Sequence, residues 1–149
     1  MATIEESLAT YLLTLSALTG ISGIGTGNSA PIRPDRLAEE DGDIGVIIEV
    51  DNENKLNDLT GRGGRVMANV NLVCRAPTKK VSRQIAEAIR LNDTDPGTGL
   101  AGFGGTVGGL TFDAWLEDTV TSFIKDDDGS DQGFYDTNCS YMVTYAEVI

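Results

Sequence analysis

One stretch of this sequence matches a cofactor-binding motif letter for letter: Gly97-Thr98-Gly99-Leu100-Ala101-Gly102 has the spacing G-x-G-x-x-G. Such a run cradles a dinucleotide pyrophosphate where a strand leads into it and a helix leaves it, because the helix N-terminus must face the phosphates. Here Asn92-Asp93-Thr94-Asp95-Pro96 precedes the run and a strand-like alternation follows. The context therefore predicts a flexible glycine loop. Asp126-Asp127-Asp128-Gly129-Ser130-Asp131 invites a calcium reading. A calcium loop of that kind needs a bidentate Glu at its twelfth position and flanking helices. Both are missing, so a solvated hairpin turn is predicted.

Histidine is absent, which removes the commonest general base and metal ligand. Cys74 and Cys139 fall within apolar alternations, and both sit on apparent core faces, where a thiol is not activated. They read as small core residues. No G-x-S-x-G elbow is present, and the many carboxylates are scattered without a distinguishing pair. The expectation is a chain with no catalytic residue, no metal and no cofactor, and so not an enzyme.

What remains is surface chemistry. Arg62, Arg65, Lys79, Lys80 and Arg83 are five of the 11 basic residues. Such a group is either a solvated face or a docking site for an acidic partner. Trp115 and Phe123 are predicted to point away from the Phe112 face of their strand. They are interface candidates if that face is bare, and core if a helix covers it.

The 149 residues suit one domain over 1–149. With 23 acidic and 11 basic residues, the net charge is -12. That disfavours a grip on nucleic acid through its phosphates, and disfavours anionic membranes. It suits a subunit that must stay soluble before assembly, or a channel wall that DNA passes without sticking. Glu5 and Glu6 stand where the basic segment of a signal peptide would be, and no apolar run approaches a membrane span.

The elements follow from apolar periodicity. Thr3 and Glu6 have capping-box spacing, and Ile4, Leu8, Tyr11, Leu12, Leu15 and Leu18 make one face of a helix over 3–18. Gly- and Pro-rich residues 20–43 read as irregular. Strands are predicted near 45–51 and 65–75, the second with Val66, Ala68, Val70, Leu72 and Cys74 on one face. A second helix is predicted at 79–91, capped by Thr78, with Val81, Ile85, Ala88 and Ile89 as its apolar stripe. Two strands near 110–124 and 134–148 close the chain. The first carries Phe112, Ala114, Leu116 and Val120 on one face. The expected fold is α+β: a mostly antiparallel four- to five-stranded sheet, two helices on one face, order α-β-β-α-β-β. Residues 53–63 and 93–109 are expected to order only on assembly.

This arrangement resembles the phage tail-terminator, or tail-completion, family. The residues that carry the likeness are Ile4-Glu5-Glu6-Ser7-Leu8, Pro31-Ile32-Arg33-Pro34, the strand Val46–Val50, the strand-into-helix run from Val70 to Ala76, and the closing strand through Tyr141-Met142-Val143-Thr144-Tyr145. The resemblance implies a structural virion protein with no catalysis. It implies a ring, usually a homohexamer, that caps the head-proximal end of the tail tube, stops its polymerisation and meets the head connector. The implied partners are further copies of the chain, the tube protein and connector proteins, with DNA passing through the lumen. The implied location is the virion, and the host cytoplasm during assembly. Another neck or tail component, such as a head-completion protein or tube subunit, is the alternative.

Overall fold

The computed structural model describes residues 3–21, 23–25, 30–34, 44–57, 64–125 and 133–147. Its elements are α1 (Ile4–Leu12), α2 (Ser16–Thr19), β1 (Ile32–Pro34), β2 (Gly45–Asn57), β3 (Gly64–Ala76), α3 (Lys79–Leu91), β4 (Phe103–Val107), β5 (Leu110–Lys125) and β6 (Gly133–Glu147). The six strands form one sheet in the order β1-β2-β3-β6-β5-β4.

The α+β class holds, and the details differ from the sequence expectation. The sheet has six strands rather than four or five, and it is mixed, because β1 runs parallel to β2. Among the described residues there are three helices rather than two, so the order α-β-β-α-β-β is replaced by α-α-β-β-β-α-β-β-β. Both extra strands were hidden by breaker residues. β1 is three residues long and ends on Pro34, a place open to proline because an edge strand need not donate on its outer side. β4 is Phe103-Gly104-Gly105-Thr106-Val107, and a two-residue turn joins it to β5. Gly108 and Gly109 both have positive φ (60° and 84°), as a tight hairpin of matching twist requires.

The predicted first helix is cut in two. Its capping box is present: Glu6 N donates to the Thr3 hydroxyl, and Thr3 N to the Glu6 carboxylate. After Leu12 the Thr14 hydroxyl donates to the Tyr11 carbonyl at 2.6 Å, and Leu15 becomes extended. Local hydroxyl bonding of this kind competes with the helix ladder. The break does not cost burial, since Leu15 and Leu18 are both fully buried. α3 occupies its predicted range, with Thr78 capping Val81 N at 3.3 Å.

β3 alternates as predicted, with Val66, Ala68, Val70, Leu72 and Cys74 buried. The β6 residues paired to them include Cys139, Tyr141 and Val143, also buried. This face meets the helices in one contiguous core with Leu8, Leu12, Ile85 and Ile89. α3 lies against β3, β6 and β5, while α1 touches β1 and β2 near one edge and β4 at the other. The sheet therefore wraps around α1, as strand twist allows.

Candidate assembly surface

The glycine run is not a free loop. Leu100 is fully buried, and its N–H donates to the Ile89 carbonyl at 2.7 Å. Asn92 ends α3 in the left-handed conformation. Its buried side chain accepts from Ala17 N at 2.9 Å and donates to the Thr98 hydroxyl at 2.6 Å. Tyr11 donates to the Thr98 carbonyl. Its phenol pKa is raised by burial and by Asp95. Residues 93–109, expected to order only on assembly, are thus tied to α1, α2 and α3 within the chain, and 103–107 are a sheet strand. Of 53–63, residues 53–57 belong to β2, and 58–63 lie outside the described residues, as does the acidic turn 126–131.

The two thiols lie together in the core, and hydrogen bonding to Cys74 lowers the Cys139 pKa. Cys74 and Cys139 are free, buried neighbours, as predicted for core residues. Hydrogen bonding to Cys139, then burial, pushes the Cys74 thiol well up. Tyr141 is buried with its hydroxyl unpartnered among the described residues, and burial raises its pKa strongly. Among the described residues no cluster of His, Cys, Asp and Glu could hold a metal ion. No helix there is long and apolar enough to cross a membrane.

A bulge decides where the aromatics go. The β5–β6 register slips between Leu116 and Asp118. Before the slip, Phe112, Ala114 and Leu116 share the helix-facing side. After it, Thr119, Thr121 and Phe123 do. Phe123 therefore lies on the Phe112 side, contrary to expectation, and Val120 moves to the opposite face with Trp115. A bulged residue inverts every later side chain, and periodicity alone cannot count it. Trp115, Val120 and Phe123 are 43%, 54% and 46% exposed: the first two lie on the face away from the helices, and Phe123 lies near the Lys125 end of β5. Phe123 stacks on Tyr135 at 5.0 Å.

The basic residues are not one patch. Arg65 is exposed near the start of β3, and Arg62 lies outside the described residues. Lys79, Lys80 and Arg83 are exposed on the first turns of α3, beyond the other end of β3. At about 3.3 Å per residue, the strand separates the two groups by roughly 35 Å.

Sequence reasoning missed two polar groups. On the sheet face away from the helices, Arg75 grips Asp136 with two bonds (2.9 and 3.1 Å) and lies over the Phe134 ring at 4.1 Å. Asp136 is buried there. The alternation placed Arg75 on that face, but its partner is 61 residues away. Inside the core, the buried Ser82 hydroxyl bonds the Cys74 carbonyl at 2.6 Å and the Thr137 hydroxyl at 2.8 Å. These bonds pin α3 to β3 and β6.

The sheet edges are the other surface. β4 covers only Leu110–Ala114 of β5, and β1 covers only Val46–Ile48 of β2. Among the described residues no strand pairs the remaining outer edge of either long strand. Unpaired strand edges are templates for pairing with another chain.

No protein family matches the sequence, and no curated protein matches it either. Among solved structures, a chain from the virion of a native gene transfer agent particle superposes with a TM-score of 0.60 at 11% identity, covering 97% of this chain and 95% of that one. The two share a fold.

Proposed function

We propose that the chain is a structural component of a phage-like virion and acts as a tail terminator. Copies form a ring, a homohexamer, on the head-proximal end of the tail tube, stop its polymerisation and present a surface to the head connector. The chain is not an enzyme and needs no cofactor. The observation that carries the reading is the near full-length fold likeness to a chain of a gene transfer agent virion. It is supported by the sequence resemblance to tail terminators and by a net charge of -12, which suits a wall that DNA slides past. Edges on both sides of the sheet that no described strand covers offer a means of self-association.

The test is to assemble tube subunits with and without the purified protein, and to measure tube length and attachment to heads. Tubes should run on without it and stop at uniform length with it. Equal tubes that join heads equally well without it would refute the terminator role. A ring found elsewhere in the neck or along the tube would select the alternative, a head-completion protein or tube subunit. Reversing Arg65 to Glu should weaken ring formation or capping without unfolding the monomer.

A further inference from the structure

The two edges of the sheet have complementary outlines. Pairing registers place every strand at a level along β3. β1 stands at the level of Leu72–Cys74, since Ile32, Arg33 and Pro34 pair with Val46, Ile47 and Ile48, which pair with Cys74, Val73 and Leu72. On the far side of the sheet, that same level meets β6 at Thr137–Cys139 and then β5 at Thr119–Thr121. This is the part of β5 that β4 leaves uncovered. β4 stands at the other end. Phe103 is level with Ala114, Val143, Ala68 and finally Glu53. Glu53–Asn57 is the part of β2 that β1 leaves uncovered. The sheet is thus five strands wide at each end, displaced sideways by one strand from top to bottom.

We infer that one copy joins the next edge to edge in a half-lap: β1 of one copy lies beside Thr119–Thr121 of its neighbour's β5, while the neighbour's β4 lies beside Glu53–Asn57 of β2. The occupant of each open edge is a second copy of this chain. The strand directions agree with this, because β1 is then antiparallel to the neighbouring β5, and β4 is parallel to the neighbouring β2. Charge agrees too. Arg33 comes level with Val120 on the face away from the helices, and Asp118 is two residues along on that face. A diagonal cross-strand pair at that spacing is within reach of a long side chain. On the lower half, Gly104 and Gly105 of β4 leave room for a neighbouring backbone to approach. The joint covers Val120, the most exposed large apolar residue described. Because the two surfaces differ, the contact is head-to-tail, and such contacts close into rings when the rotation allows. The inference rests on the ring reading and specifies its joint.

The experiment uses the full chain with single substitutions Arg33→Cys and Val120→Cys. Directly opposed residues in paired strands hold their Cβ atoms roughly 4.5–5.5 Å apart, close enough for a disulfide after small adjustment. The native Cys74 and Cys139 are buried. Mild oxidation of the two variants mixed, alone or on tail tubes, should give a covalent dimer that neither variant gives by itself. The Arg33→Cys/Val120→Cys double variant should give a ladder up to the full ring. Asp118→Arg should dissociate the ring, and Arg33→Asp in the same chain should restore it. An oligomer that forms with no cross-link, and no rescue by the charge swap, would overturn the half-lap and leave the ring. A chain that stays monomeric both alone and on tubes would overturn the ring itself and the joint with it.

Discussion

Gly99→Ala should undock the glycine run from the end of α3, although Gly99 is the middle glycine of a motif that reads as a flexible loop. A Cβ built there overlaps the Arg90 carbonyl oxygen and comes to 2.6 Å from the Arg90 carbonyl carbon and 2.7 Å from that of Leu91. These are backbone atoms of a helix end and cannot swing aside as a side chain would. The strain is relieved by moving the loop, which loosens Leu100. Burial of a leucine is worth about 1.5–3 kcal/mol. The Leu100 N to Ile89 O bond adds about 0.5–1.5 kcal/mol. Losing most of both gives an expected destabilisation of about 2–4 kcal/mol. For a chain of this size each kcal/mol lowers Tm by about 2–4 °C, which gives a drop of roughly 5–15 °C. Urea denaturation measures the free energy, and hydrogen exchange locates it: the Leu100 and Phe103 amides should lose protection. Gly97→Ala is the comparison. It also strains a positive φ (90°), but it has open space around its Cβ. It should cost about 1–2 kcal/mol and leave both amides protected. If Gly99→Ala leaves stability and the Leu100 amide unchanged, the docking argument is wrong.

Three further outcomes are expected. Asp136→Ala strips Arg75 of its partner in a half-buried setting (side-chain exposures 25% and 10%), so it should cost about 2–3 kcal/mol in denaturant midpoint, less than a fully buried pair. Asp136→Ala that is neutral would mean solvent already serves Arg75. Tyr141→Phe removes a buried hydroxyl with no partner among the described residues and should be neutral or stabilising by about 1 kcal/mol, read as Tm. The same phenol makes wild-type stability fall with alkali: its folded pKa is raised, so the unfolded chain releases the proton first. Stability is complete below the ordinary tyrosine range near pH 10 and declines above it, and Tyr141→Phe should flatten that decline. Thr78→Ala removes the α3 cap and should cost about 1 kcal/mol, with exchange rising first at Val81.

Local pattern determined much of this protein. The capping box at Thr3, the span of α3 with its Thr78 cap, and the inward set Val66 to Cys74 were legible because each depends on residues within one or two turns or along one strand. So was the burial of both cysteines. The unpredicted features depend on groups far apart in sequence. β1 exists because β2 offers its edge to a three-residue segment whose terminal Pro34, with Pro31 just before it, argues against a strand. The glycine run is pinned because Asn92, Tyr11 and Ile89 converge on it across the fold. Phe123 changed faces because a single bulged residue shifts the phase of everything after it, and a period-two alternation carries no record of that insertion. Asp136 was invisible as a partner for Arg75 until β3 and β6 were paired. The displaced outline of the sheet is further still from any local signal: it is a relation between four strands, and only the tertiary registers bring β1 level with the bare part of β5 and β4 level with the bare part of β2.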